Sequence, residues 1–299
     1  MKKVLVVAGP TASGKTSFSV HAAQLYNGII ISGDSVQVYR GFDIGSGKVT
    51  EEEKQGIPHC LIDILDPKEP YSAADFQREA RAIIDRTDRL PIIAGGTGLY
   101  LKACLYDYVF QEEDGPAADS ELEIYTNEEL YTMLKEADPV QAEKIHRNNR
   151  RRLLRSLTIL RRTGQRQSDH VALQSHEPVY DALIVGCTME RSLLYDRINA
   201  RVHTMVQSGL RDEVASLLDQ GVTFDDPPMK GIGYKEWKPY FNGECSEQET
   251  EELIARHSRQ YAKKQYTWFN HQMPVHWFDT TSDAEQKRIM EVIRTWLEQ

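Results

Sequence analysis

Residues 3–16 read KVLVVAGPTASGKT, and the fold is decided there. The β-branched run Lys3–Ala8 predicts a buried strand. The segment Gly9-Pro10-Thr11-Ala12-Ser13-Gly14-Lys15-Thr16 then fits G-x-x-x-x-G-K-[ST] in full. A helix is expected from about Lys15 to Tyr26. Glycines let such a turn curl until backbone N–H groups and the helix N-terminus face an anion. Lys15 adds a mobile positive charge, and the Thr16 hydroxyl is a candidate ligand for Mg2+. Polyphosphate binding follows from the motif; the molecule that carries the phosphates does not.

Working outward, Ile29–Ile31, Leu90–Ala94 and Asp181–Cys187 read as further buried strands, with Leu61–Ile64 a weaker one. Helices are expected from Ser72, a capping residue, to about Arg86, and from near Thr97. Later ones should run from Ser192 to Gln207, Leu210 to Gln220, Thr250 to Phe269, and Ser282 to the C-terminus. Strands alternating with helices predict an α/β class: a P-loop NTPase-like parallel sheet with flanking helices. Residues 1–110 and 179–299 would form it. A mostly helical insertion, 111–178, would interrupt it, with helical periodicity continuous from near Glu128 to about Thr163.

In a parallel sheet the carboxyl ends of the strands gather at one edge, so Asp34 should sit near the phosphate loop. A carboxylate there could bind Mg2+ through water or take a proton from an acceptor; capping the next turn suits it equally. Thr97, after Gly95-Gly96, could donate to a leaving phosphate oxygen, cap its helix, or do both. Phosphoryl transfer from ATP would need a second acidic metal ligand at a strand end. Leu61-Ile62-Asp63 is the nearest candidate, so a small-molecule kinase is possible but incomplete.

The net charge is −9, with 36 Lys and Arg against 45 Asp and Glu over 299 residues. The total hides a local excess. Lys144–Arg166 carries nine basic residues and no acid, leaving 27 basic against 45 acidic residues, or −18, on the remaining 276. Gln111–Glu136 is the opposite, with nine acids and one base. Leu253–Phe278 again lacks acids and interleaves Arg256, Arg259, Lys263 and Lys264 with Tyr261, Tyr266, Trp268 and Phe269. Basic stretches with aromatic faces suit RNA phosphates and unstacked bases. Four dispersed cysteines and no long apolar run predict a cytoplasmic chain without membrane contact.

Several co-linear segments extend the argument: GPTASGKT (9–16), GDSVQVYR (33–40), PHCLID (58–63), YSAADF (71–76), GGTGLY (95–100), RRLLRSL (151–157) and GIGYKE (231–236). With the run Tyr261–Phe269, they resemble the bacterial tRNA dimethylallyltransferases of the IPP transferase family over most of the chain. The resemblance implies a Mg2+-dependent transfer of the prenyl group of dimethylallyl diphosphate to N6 of the adenine beside the anticodon. Gly9, Pro10, Thr11, Ala12, Ser13, Gly14, Lys15 and Thr16 would hold the diphosphate, with Thr97 and Arg201 adding contacts and Asp34 as general base. Asp34, Ser35, Val36 and Gln37 would read the flipped adenine and its neighbour. Further tRNA contacts would come from Arg150, Arg151, Arg152, Arg155, Arg161, Arg162, Gln165, Lys230, Gly231, Lys235, Lys263 and Lys264. A monomer acting on the anticodon stem-loop is expected. An adenylate dimethylallyltransferase, acting on free nucleotide and lacking the helical insertion, is the alternative within this chemistry. Three departures stand out: the family usually has a Thr-Ala-Lys-type stretch where this chain has Gly45-Ser46-Gly47-Lys48, Arg where it has Asn270, and a longer insertion than the stretch Gln111–Asp138.

Overall fold

A computed structural model describes residues 1–110 and 120–299. The first part of the acidic stretch, 111–119, therefore lies outside the described residues. Contacts divide the chain into two compact units, Met1–Tyr106 with Pro178–Gln299, and Asp107–Glu177.

The first unit is built on six parallel strands: β1 Lys3–Ala8, β2 Gly28–Ser32, β3 His59–Cys60, β4 Leu90–Gly95, β5 Asp181–Thr188 and β6 His276–Asp279. Their order is β3-β2-β4-β1-β5-β6, so β1 is central, between β4 and β5. The fully buried run Val4–Ala8 shows why its sequence is continuously apolar rather than alternating. Leu5, Val7, Phe18, Ile92, Val185, Phe278 and Ile293 share one core between sheet and helices. A second core joins Val38, Phe42, Val202, Leu210, Tyr234, Trp237 and Ile254. It fixes helix Arg191–Gln207 and the start of helix Glu247–Gln272 beside the carboxyl edge of the sheet.

Three expectations are corrected. The strand sought at Leu61–Ile64 lies at His59–Cys60; left-handed backbone at Leu61 and Asp63 ends it. His276–Asp279, beyond Pro274, is an additional strand that pairs with β5 from Val185↔His276 to Thr188↔Asp279. The periodicity from Glu128 to Thr163 is three helices, not one: Asn127–Ala137, Pro139–Glu143 and Arg150–Thr163. Pro139 cannot continue the preceding hydrogen-bond ladder but suits a first helical position, and Asp138 caps the new start by accepting from Gln141 N at 3.1 Å. Asn149 caps the third.

In this second unit, Leu130, Leu134, Ala142, Leu153 and Leu157 form a separate small core. The Asp138 side chain is buried and also accepts from Ser168 N at 3.0 Å. Arg150 points inward. Its guanidinium donates to the carbonyls of Tyr125 and Glu123, both at 2.7 Å, so it ties this unit together.

The carboxyl edge of the sheet in the first unit is crowded. A Cβ on Gly95 would stand 2.3 Å from the Gly33 carbonyl oxygen, which belongs to backbone and cannot swing away. Gly95→Ala should therefore lower stability by about 3 kcal/mol, measured by denaturant unfolding. A loss within experimental error would refute the claim that these loops have no room to separate.

Candidate active site

At the carboxyl edge of the sheet, the phosphate loop adopts an inward-facing backbone. Gly9, Ala12 and Gly14 have φ of 143°, 62° and 89°. A Cβ on Gly9 would fall 2.6 Å from the Cys187 carbonyl oxygen, so β5 leaves room for glycine alone. Ser13 is buried and its hydroxyl donates to Pro10 O at 2.8 Å, bracing the turn from within. Lys15 Nζ donates to the same carbonyl at 2.6 Å. Thr16 is exposed.

A cavity of about 570 Å³ opens beside this loop. Thr11, Lys15 and Thr16 line one side, and Asp34, Ser35, Val36 and Gln37 follow from the end of β2. Gly96 and Thr97 follow from β4, and Ile198, Arg201, Val202 and Met205 come from one face of helix Arg191–Gln207. Lys230, Gly231 and Lys235 stand on the adjoining loop, with His257, Tyr261, Lys264 and Gln265 on helix Glu247–Gln272. Catalytic candidates spread from residue 15 to residue 201 thus share one space. Lys263, one residue from Lys264, is exposed and does not line it.

Asp34 makes the turn that follows β2, one of the roles left open by the sequence. Its Oδ1 accepts from Val36 N at 2.8 Å and Gln37 N at 3.3 Å, making the turn. Among the described residues Oδ2 carries no hydrogen bond, leaving a carboxylate oxygen to act on a ligand. Thr97 occupies the N-cap position without a capping hydrogen bond, and it lines the cavity together with Tyr261. Burial, beside Asp34, pushes that tyrosine up to about 12. Arg201 donates to the Gly47 carbonyl at 3.3 Å. A Cβ at Gly47 would fall 1.6 Å from the Arg201 guanidinium, so this glycine leaves room for that side chain.

Three contacts that hold the cavity walls have no local sequence signal. Glu213 accepts from the backbone N–H groups of Asp43, Ile44 and Gly45 at 3.1, 2.7 and 3.1 Å, and from the Tyr234 hydroxyl at 2.7 Å. Buried Glu236 accepts from Gly233 N at 2.8 Å and pairs with His257 at 2.7 Å, fixing the loop that carries Lys235. Gln265 spans the phosphate loop and Gly96. The only signals were the GIGYKE and Tyr261–Phe269 segments as blocks, which contain Tyr234, Glu236 and Gln265 without saying what they touch.

The proposed kinase ligand is otherwise engaged. Asp63 pairs with Lys48 at 2.5 Å, and Lys48 also pairs with Asp43. Asn270 accepts from the Trp277 indole at 2.8 Å, and Trp268 packs on the bare face of Gly98. Those two residues are structural.

Burial lowers Lys15 to about 8, with Arg201 adding to the fall and Asp34 opposing it; burial likewise lowers Arg201, again opposed by Asp34. Cations drawn out of water toward one carboxylate make a receptor for a compact polyanion that brings its own charge. A strand–phosphate loop–helix unit with this cavity at the sheet edge defines a P-loop α/β enzyme. The family model described as IPP transferase matches residues 37–272, and that of isopentenyl transferase matches residues 2–66. The chain belongs to the IPP transferase family.

Relatives agree along nearly the whole length. The tRNA dimethylallyltransferase of Anoxybacillus flavithermus is 47% identical, covering 98% of this chain and 95% of that protein. That of Bacillus licheniformis is 48% identical, covering 95% and 94%. The solved full-length tRNA isopentenylpyrophosphate transferase from Bacillus halodurans is 41% identical with a TM-score of 0.75, covering 100% of this chain and 97% of that one. A eukaryotic dimethylallyltransferase acting on tRNA is 29% identical with a TM-score of 0.82, covering 96% and 75%.

The Lys15 shift has a measurable consequence. The ammonium form binds the anion, so affinity for inorganic diphosphate should be full below pH 8 and decline as pH rises through about 8. Titration calorimetry across that range should show the decline in the native protein and a weak, flat response in Lys15→Met. An equal decline in both would assign the effect to another group.

Proposed function

We propose that this chain transfers the dimethylallyl group of dimethylallyl diphosphate to N6 of adenosine 37 in tRNAs reading codons that begin with U. One observation carries the reading: a single cavity holds the cations Lys15 and Arg201, the carboxylate Asp34, and a rim of Lys230, Lys235 and Lys264. The first pair suits a diphosphate, the rim suits an RNA backbone, and the carboxylate lies in the space they share.

In the transfer the bond from the allylic carbon to diphosphate oxygen breaks and a carbon–N6 bond forms. The N6 lone pair is delocalised into the purine, so a base must take its proton as the bond forms, and Asp34 Oδ2 is the acceptor. Positive charge develops on the allylic carbon as the leaving group gains negative charge. Lys15, Arg201 and Thr97 stabilise that departing anion. Val36, Val202, Met205, Ile232 and Ile254 give the cavity apolar wall for the prenyl tail. The adenine leaves the anticodon-loop stack to enter.

A divalent ion fits at the phosphate loop. The Thr16 hydroxyl and Asp34 are hard oxygen donors, and among the described residues no group of three or more His, Cys, Asp or Glu forms a cation cage. The Thr16 hydroxyl would hold a Mg2+ ion there, with Asp34 as a second hard oxygen donor in the same cavity. When bound, the ion neutralises part of the leaving group's charge.

In this reading the helical unit contacts the anticodon stem, and the enzyme works as a cytoplasmic monomer. No described helix is long and apolar enough to cross a membrane. Arg151 and Arg152 are exposed, as are Arg155, Arg162 and Gln165. Arg147 pairs with Glu128 and Arg161 with Glu121, so acids preceding the basic block occupy part of its charge.

Asp34→Asn keeps an oxygen for the Val36 and Gln37 amides but cannot take the N6 proton. It should retain tRNA affinity and slow transfer by roughly a hundredfold or more, scored as prenylated adenosine after nuclease digestion of the tRNA. Near-native turnover at saturating substrates would remove Asp34 as the base. Arg151→Ala with Arg152→Ala should weaken tRNA binding and reduce the salt slope of log affinity by about one to two. An unchanged slope would return those side chains to a plain solvated surface.

A further inference from the structure

Gln265 is a buried polar residue on a helix of the cavity wall, and no step above uses it. Its Oε1 accepts from the Thr11 N–H of the phosphate loop at 3.2 Å, and its Nε2 donates to the Gly96 carbonyl at 3.0 Å. The orientation of the amide is fixed by chemistry: only oxygen can face the N–H, and only nitrogen can face the carbonyl. The fit is close, since a Cβ on Gly96 would stand 2.1 Å from Nε2. One turn earlier on the same helix, Tyr261 lines the cavity together with Thr97. The helix that presents Tyr261 and Lys264 to the acceptor side of the cavity therefore grips both loops on the diphosphate side.

We infer that Gln265 is a positioning residue: it sets the separation of the phosphate loop from the Gly95–Gly98 loop, and so aligns the leaving diphosphate with Asp34. The Thr11 amide is held by Gln265 and is not offered to the anion, which is left to the amides beyond it and to Lys15. If either bond is lost, a buried donor or acceptor goes unpaired and the loops are free to drift. The cost falls on donor binding and alignment before it falls on tRNA affinity. This inference rests on the transferase reading for its kinetic part and on geometry alone for its binding part.

The decisive variant is Gln265→Glu. Ionised, its two oxygens both accept, which suits Thr11 but sets two acceptors face to face at Gly96. Protonated, the acid donates to Gly96 and is an isostere of the amide. Lys15 and Asp34 at the sheet edge, Arg201 on helix Arg191–Gln207, and Lys264, Tyr261 and Tyr266 on the residue's own helix are common to both proteins. Their titration largely cancels in a ratio. Near pH 8, single-turnover transfer to tRNA should be at least about tenfold slower in Gln265→Glu than in the native enzyme. The ratio should rise severalfold as pH falls toward about 5, where carboxylic acids protonate. A ratio flat with pH, or native rates near pH 8, would overturn the assignment.

Gln265→Ala, with no group to titrate, should show a deficit that does not recover at low pH. It should also raise the KM for dimethylallyl diphosphate at least about tenfold while leaving tRNA affinity unchanged; an unchanged KM would likewise overturn the assignment. Calorimetry with inorganic diphosphate separates the two claims. Weakened diphosphate binding in Gln265→Ala, alongside a native protein that prenylates no tRNA, would refute the transferase reading and support the spacing role. Unchanged diphosphate affinity would refute the spacing role whatever the native protein transfers.

Discussion

Lys15 and Arg201 stand half-buried in one cavity with the carboxylate of Asp34, and much else in the fold serves to hold them there. Removing a cation from water costs several kcal/mol even after relaxation. The depressed Lys15 and Arg201 are the mark of that cost. A structure tolerates it where a ligand returns the missing charge. The glycines at 9, 33, 95 and 96 bring the strand ends close enough for the cavity to exist, and Glu213 and Glu236 pin the outer loops that close it. A leaving diphosphate suits such a receptor because its charge grows along the reaction coordinate, so the interaction strengthens where it lowers the barrier.

The acceptor side follows a different logic. Its lysines stand at the rim and remain hydrated, suited to a backbone whose binding is salt-dependent and reversible. The interior is reserved for the groups that act on bonds. Asp34 lies between the two regimes, with one oxygen spent on the turn at Val36 and the other carrying no hydrogen bond among the described residues, as the proposed base requires.

What could be read in the sequence were features whose cause is local. The phosphate loop, the Ser72 helix cap, and the placement of Asp34 and Thr97 at strand ends each follow from a few consecutive residues. β3 and β6 were misread or missed because two- and four-residue strands lack a period, and their pairing is set by neighbours distant in the chain. Glu213 and Gln265 were invisible for the same reason: the backbone groups they bind lie 168 to 170 residues away for Glu213, and 254 and 169 residues away for Gln265. The charge split located the basic helix correctly as a sequence block. It overstated the charge on offer, because Arg150 turns inward and acids flanking the block pair with Arg147 and Arg161. A sum over sequence counts charges without their partners.

The central claim is that this phosphate loop serves a prenyl donor and a tRNA acceptor rather than ATP. The most direct measurement offers the protein isotopically labelled dimethylallyl diphosphate and Mg2+ with unmodified tRNA and, separately, with AMP, and runs ATP with tRNA in parallel. The account predicts label on N6 of a single adenosine of the tRNA, none on AMP, and no ADP formed. Labelled AMP beside unmodified tRNA, or ATP turnover without prenyl transfer, would contradict it.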